Sequence, residues 1–327
     1  MLQHTLEKAD RVLVITHVDP DGDAIGSLTA VGQALRQLGL RVTLVCDDSV
    51  PERFTYMYLT DQVRRQPDPQ EPYDVLIAVD CGDELRMGEA FDRLPLPRPF
   101  IINIDHHVTN TRFGDLNIVE PGATSTAEVL YGLFQDLGIE ITPEIALSLL
   151  TGLVTDTLGF RTIGVTANTL RIAAELIDAG ADLGFVTMQA LNLRALSTMK
   201  LWRTGMDHMQ LEGGLLWSAI TNQERQAAEF RSHSSVGLVN LLADVEEAAM
   251  GAVLMEMEDG SVKVGLRCRP PYDVSEVAVE LGGGGHPLAS GCTLPGPLAE
   301  AEALLVRTCQ EAIVRQAERA STAVPTV

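Results

Sequence analysis

Apolar positions follow two different rhythms along this chain. In the first half, short continuous apolar runs alternate with longer stretches whose apolar residues recur at helical spacing. Val12 to Thr16, Arg41 to Cys46, Asp74 to Val79 and Phe100 to Ile104 read as strands, and Ala24 to Leu38, Thr124 to Leu137, Pro143 to Val154 and Ala167 to Ala179 read as helices. The punctuation agrees with this division. Gly39 and Gly180 stand where helices commonly end on a left-handed residue, and Pro143 stands in a first helical turn. Continuous apolar strands alternating with helices predict an α/β domain built on a mainly parallel sheet flanked by helices.

The rhythm changes after about residue 190. Leu191 to Met206 reads as a helical connector. Leu215 to Thr221, Ala252 to Met257 and Val262 to Arg267 follow as strands, with Glu258-Asp259-Gly260 as the hairpin turn between the last two, and Ala299 to Arg319 as a final helix. These elements predict a smaller C-terminal α+β domain. The expected organisation is a domain over 1–190, a connector over 191–206 and a second domain over 207–327.

Composition fits a folded two-domain chain, with 46% hydrophobic and 21% charged residues over a length of 327. No apolar run approaches the roughly 18 residues that suggest a membrane span. Met1 to Arg11 is charged and lacks the apolar core of a secretory leader. A cytoplasmic protein with no membrane partner is therefore expected. Its five cysteines are odd in number and never spaced as CxxC, which argues against a disulfide framework or a zinc ribbon. The net charge, 24 − 45 = −21, disfavours a protein that tracks long duplex nucleic acid. A phosphate-bearing substrate should then be small and held by a few local cations, mostly arginines.

The chemistry gathers at the ends of the predicted strands. Directly after the first comes His17-Val18-Asp19-Pro20-Asp21-Gly22-Asp23, one imidazole and three carboxylates in seven residues. Open α/β sheets bind ligands at these carboxyl ends, and clustered carboxylates need a cation or a shared proton. The third strand ends on Asp80, and the fourth leads into Asp105-His106-His107. Adjacent residues on a strand point to opposite sides, so one of the two histidines suits a metal and the other a substrate. Asp156 follows an apolar helix. His17, Asp19, Asp21, Asp23, Asp80, His106 and Asp156 are too many ligands for one ion with an open position. Two ions about 3.5–4 Å apart are the usual arrangement in phosphate-ester hydrolysis. Oxygen and imidazole donors without thiolate favour Mn²⁺, with Mg²⁺, Co²⁺ and Zn²⁺ left open. In the second domain, Gly282 to Gly285 precede His286. The run reads equally as a flexible loop or as an anion nest, in which the amides of Gly283, Gly284 and Gly285 would hold a terminal phosphate together with Arg267 and His286.

These residues resemble the DHH/DHHA1 phosphoesterase family, and most of all its stand-alone nano-RNase branch. The motifs HVDPDGDAIGS, VLIAVD, NIDHHVTN, TGLVTDT and GGGGHPLASGC occur in that order over nearly the whole chain. The resemblance implies that His17 and Asp21 hold one metal, that Asp23, His106 and Asp156 hold the other, and that Asp80 bridges them. It implies that Asp105 orients a histidine, that His107 faces the substrate, and that Arg267 and His286 bind nucleotide phosphate. Leu158 and Pro287 depart from the family, which commonly has glycine and a basic residue there.

The implied activity is hydrolysis of RNA of about two to five nucleotides to mononucleotides, and removal of the 3′-phosphate of pAp (3′-phosphoadenosine 5′-phosphate), by a water activated between two metals. A cyclic or linear dinucleotide phosphodiesterase (c-di-AMP, pApA, pGpG) shares every motif. A non-catalytic nucleotide- or tRNA-binding module is the alternative from another class, disfavoured by the intact set of acids and histidines. Homodimers are frequent in the family, although no apolar stripe in this sequence demands one.

Overall fold

The structure, a computed structural model, describes residues 1–94, 96–230, 235 and 237–322, with only the backbone of 321 and 322. The chain divides into two compact units, Met1–Leu193 and Arg194–Val327. Among the described residues, no helix is long and apolar enough to cross a membrane.

The first unit runs α1 (Leu2–Leu6), β1 (Arg11–Ile15), α2 (Gly22–Gln37), β2 (Arg41–Val45), β3 (Val75–Val79), α3 (Glu89–Asp92), β4 (Phe100–Asp105), β5 (Leu116–Val119), α4 (Thr126–Leu137), α5 (Pro143–Asp156), α6 (Ala167–Asp178) and α7 (Leu183–Thr187). Its five strands form one sheet in the order β2-β1-β3-β4-β5, and every pairing is parallel. Strand alternation explains why the runs are apolar throughout. Val12, Val14, Ile77, Val79, Ile102 and Ile104 pack into the core beneath α2, α4 and α5. Leu13, Ile15, Leu76 and Ala78 face the opposite way, against Met87, Phe91 and Leu94.

α2 is buried along nearly its whole length, against both the sheet and α5. The two helices approach so closely that a Cβ added at Gly26 would lie 2.5 Å from the Ser148 carbonyl oxygen. Gly26→Ala must therefore push α2 away from α5. It is expected to cost about 1–3 kcal/mol, read as a lower unfolding midpoint of the metal-free protein; an unchanged midpoint would show that the helices separate freely.

The second unit runs α8 (Leu196–Asp207), β6 (Gln210–Glu212), β7 (Leu215–Ile220), α9 (Asn222–Ala227), α10 (Leu238–Ala243), β8 (Met250–Glu256), β9 (Val262–Cys268), α11 (Ser275–Glu280), β10 (Gly284–His286), β11 (Ala289–Leu294) and α12 (Leu298–Thr322). Its sheet, β10-β11-β9-β8-β7-β6, is mixed: only β7 and β8 pair in parallel. One face carries Val262, Val264, Leu266 and Cys268 into a core with α11 and α12. The other packs Val253 and Met255 against Leu238, Val239 and Leu242 of α10.

The stretch expected to be one helical connector is two pieces. A π turn, Met188–Asn192, closes the first unit, and Leu193 is extended at φ −67°, ψ 134° before α8 begins. β5, β6, β10 and β11 escape the apolar pattern. β5 and β6 are short and little buried, and two of the three residues of β10 are glycine.

Candidate metal centre

In a sheet ordered 2-1-3-4-5, the connections leave β1 and β3 in opposite directions and open a crevice at their carboxyl ends. His17 follows β1, Asp80 follows β3, and His106 and His107 follow β4. Asp21 is the N-cap of α2, accepting the Asp23 and Ala24 amides at 3.0 Å each, and Asp156 is the last residue of α5.

Three groups of side chains converge there. His17, Asp21 and Asp80 offer donor atoms within 4.8 Å of one another, as do Asp23, His106 and Asp156, and also Asp80, His106 and His107. Asp80 divides its carboxylate between them. Oδ2 lies 3.4 Å from His17 Nε2, and Oδ1 lies 3.8 Å from His106 Nε2. His17 Nε2 is also 4.0 Å from Asp21 Oδ1, and His106 Nε2 is 3.2 Å from Asp156 Oδ2. Asp80 takes a left-handed conformation, φ 59°, that aspartate tolerates better than most residues.

The backbone sets the histidine tautomers. Nδ1 of His17 lies 2.7 Å from the Val18 carbonyl oxygen, and Nδ1 of His106 lies 3.3 Å from that of Ala123. A carbonyl only accepts, so each Nδ1 offers it a proton, in His17 against the Arg86 guanidinium 3.2 Å from the same nitrogen, and each Nε2 is turned to the carboxylates. His106 Nε2 is buried and, although 3.2 Å from Asp156 Oδ2, makes no well-aligned hydrogen bond among the described residues. A buried polar atom so placed needs a better partner, and four carboxylates crowded around the Nε2 atoms of His17 and His106 suit a divalent cation. Cys46 and Cys81 lie close by, but burial pushes the Cys46 thiol up to about 12 and the Cys81 thiol upward too, so the donors remain oxygen and imidazole.

The remaining residues play different parts. His107 Nδ1 lies 2.7 Å from Asp105 Oδ1, and Asn110 Nδ2 donates to Asp105 Oδ2 at 2.6 Å, to Asn103 Oδ1 at 2.8 Å and to the Cys81 carbonyl at 3.1 Å. The fully buried Asp105 thus supports His107. Asp23 accepts the first amides of α4, Thr126 at 2.6 Å and Ala127 at 3.0 Å. Asp19 is exposed, left-handed at φ 52°, and outside all three groups; its amide donates to Asp48. Leu158, Gly159 and Phe160 form a left-handed run just after Asp156, a conformation that glycine at 158 would hold without strain. Asn110 and Thr126 hydrogen-bond Asp105 and Asp80 and are not singled out by the sequence pattern. Asn110 is legible only as the last letter of the motif NIDHHVTN, and Thr126 carries no signal.

Charge is strongly redistributed in the metal-free site. Burial opposes a charged imidazole at His17, but Asp80 and Asp21 outweigh it and raise its pKa to about 9. At His106 burial is outweighed by Asp156, Asp80 and Asp23, and the pKa rises to about 10. Burial raises Asp156 to about 6 despite the pull of His106. Asp80 is held well below the usual carboxylate range: burial opposes this, but His17, His106 and His107 prevail. At neutral pH the two imidazoles therefore carry protons that a cation must displace. Metal affinity should rise with pH from about 6 to about 10, and titration calorimetry in buffers of different ionisation enthalpy should show net proton release at pH 7. A dissociation constant that does not vary across this range would mean that His17 and His106 are already neutral at pH 7.

In the second unit the four glycines do not form an open nest. The Gly282 and Gly283 amides donate to the Val279 and Ala278 carbonyls at 3.0 and 2.7 Å and close α11, and Gly284 begins edge strand β10. Sterics impose this arrangement, because a Cβ at Gly283 would lie 2.2 Å from the Gly291 oxygen and Gly285 has φ 140°. Register supplies what the run alone did not show. Arg267, Ala289 and His286 are paired across β9, β11 and β10, and so are Gly265, Gly291 and Gly284. Directly paired residues share a face. Arg267 and His286 therefore project from one face across a floor of alanine and glycine. Pro287 stands in the β10–β11 turn, where its carbonyl accepts from the Val274 amide and the Cys268 thiol.

Residues 11–153 match the DHH family, N-terminal domain, and residues 227–314 match the DHHA1 domain. The chain is 38% identical to the bifunctional oligoribonuclease and PAP phosphatase NrnA of Thermus thermophilus, over 87% of this chain and 84% of that one. It is 25% identical to the Bacillus subtilis protein of the same name, over 90% and 92%. A solved structure of an exopolyphosphatase-related protein from Bacteroides fragilis shares the fold, with a TM-score of 0.89, 24% identity and 96% of each chain covered.

Proposed function

This chain belongs to the DHH family of metal-dependent phosphoesterases, and we propose that it hydrolyses short RNA oligonucleotides to mononucleotides and removes the 3′-phosphate of pAp. The observation that carries this is Asp80, which turns one oxygen to the His17 group and the other to the His106 group. His17, Asp21 and Asp80 would hold one Mn²⁺, and Asp80, Asp23, His106 and Asp156 a second. The chemistry supplied by such a pair is Lewis acidity, which makes water a nucleophile at neutral pH and neutralises phosphoryl charge.

The chain's own residues do the rest. Asp105, itself held by Asn110, fixes the His107 ring, and Asp105 with Asp80 raises the His107 pKa against the effect of burial, which favours the protonated form that can protonate the leaving oxygen. Arg267 and His286 bind the substrate's terminal phosphate, the arginine through its planar fork of donors. The net charge of −21 works against long polyanions and leaves short ones to these few cations. Five buried, unpaired cysteines suit a cytoplasmic location.

The test is hydrolysis of pAp, pApA, pGpG, a pentanucleotide RNA and a long single-stranded RNA, each with Mn²⁺ and with EDTA. Metal-dependent turnover of pAp and the short RNAs, with the long RNA slow, is expected. Turnover confined to pApA or pGpG would assign a dinucleotide phosphodiesterase instead, and no turnover at all would leave a binding module.

A further inference from the structure

We propose that Thr126 is a positioning residue that secures the second metal position by fixing the rotation of the Asp80 carboxylate. This rests on the two-ion assignment above. Thr126 is fully buried at the first turn of α4, directly after the N-cap Ser125, whose hydroxyl accepts the Glu128 amide. Two groups of this one residue act on two carboxylates. Its backbone amide donates to Asp23 Oδ2 at 2.6 Å, and its hydroxyl donates to Asp80 Oδ1 at 2.9 Å.

The hydroxyl bond is asymmetric with respect to the two metal positions. It binds Oδ1, the oxygen on the His106 side, and leaves Oδ2 on the His17 side. A carboxylate on a short side chain turns readily about its terminal torsion, which is broad rather than staggered. Asp80 can share itself between two cations only while that torsion is held. Without the hydroxyl, both oxygens are free to turn to the His17 side, and the position framed by Asp23, His106 and Asp156 loses one of its four ligands. Asp23 stays in place, because the amides that hold it belong to the backbone. The other side of the site lacks such a clamp among the described residues: Asp80 Oδ2 meets only the His17 ring.

Thr126→Val keeps the shape and the backbone amide and removes only the hydroxyl. In Mn²⁺ titrations followed by calorimetry, the wild type should bind two ions. Thr126→Val should bind the first with unchanged affinity and the second roughly 10- to 100-fold more weakly, the range expected when a group supporting a ligand is lost. Thr126→Ser should restore the second site to within a few fold. At two equivalents of Mn²⁺, electron paramagnetic resonance should show a spin-coupled pair in the wild type and in Thr126→Ser, and an uncoupled six-line spectrum in Thr126→Val. Unchanged affinities at both sites in Thr126→Val would overturn the proposal. Equal weakening of both sites, with a lower unfolding midpoint of the metal-free protein, would do so too, since it would mark a merely structural role. A wild type that binds a single ion would overturn the two-ion assignment and this inference with it.

Discussion

Asp80→Asn is expected to lower kcat/KM for pAp and for dinucleotides by at least about 10³-fold, on the scale of losing a group aimed at transition-state charge. The substitution is nearly isosteric, so the Thr126 hydroxyl keeps an acceptor and the fold should hold. What changes is chemistry. An amide offers one oxygen where the carboxylate offers two, and its NH₂ group points donors at whatever cation lies beside it. It also removes the negative charge that His17, His106 and His107 all face. The measurement is steady-state kinetics beside metal content and an unfolding curve. Activity within about tenfold of wild type in a folded variant would remove Asp80 from the shared position assigned to it.

Removal of metal is expected to abolish turnover of every substrate, with recovery on return of Mn²⁺. It should also show in stability. Asp21, Asp23, Asp80 and Asp156 crowd one crevice, and Asp23 is pushed well above the usual carboxylate range by burial and by the charges of Asp80 and Asp156. A bound cation relieves that repulsion in the native state alone. At a free Mn²⁺ concentration 100-fold above the dissociation constant, one ion adds about 2.7 kcal/mol, or about 5–10 °C in unfolding midpoint for a unit of this size. Turnover that survives exhaustive chelation, with metal content verified, would show that the acids and histidines serve some other purpose.

The sequence by itself determined the parallel sheet and where the chemistry would lie on it. Strands buried on both faces must be apolar throughout, so β1, β3 and β4 stood out, and the charged residues at their ends were conspicuous against that background. The glycines and proline that start and stop α2, α5 and α6 act through local backbone geometry, which needs no partner elsewhere in the chain. Motif order then identified the family.

Tertiary structure alone decided how those residues are used. Asp19, Asp21 and Asp23 look alike in one loop. Only the fold turns Asp19 out to Asp48, makes Asp21 the cap of α2, and gives Asp23 to the amides of α4, more than a hundred residues later. His106 and His107 are neighbours in sequence, but the first turns its Nε2 to Asp80 and Asp156 while the second is tied to Asp105 and Asn110. The four glycines read equally as an anion nest or as a flexible loop. The 2.2 Å approach at Gly283 and the β10–β11 register make them a helix stop and an edge strand. Some of these contacts are local, such as the Asp21 cap and the Asp105–His107 bond, but those that gather the site, Asp23 to α4 and His106 to Asp80 and Asp156, join residues far apart in the chain and leave no trace in local pattern. Burial and backbone conformation leave such a trace, which is why the scaffold was legible and its wiring was not.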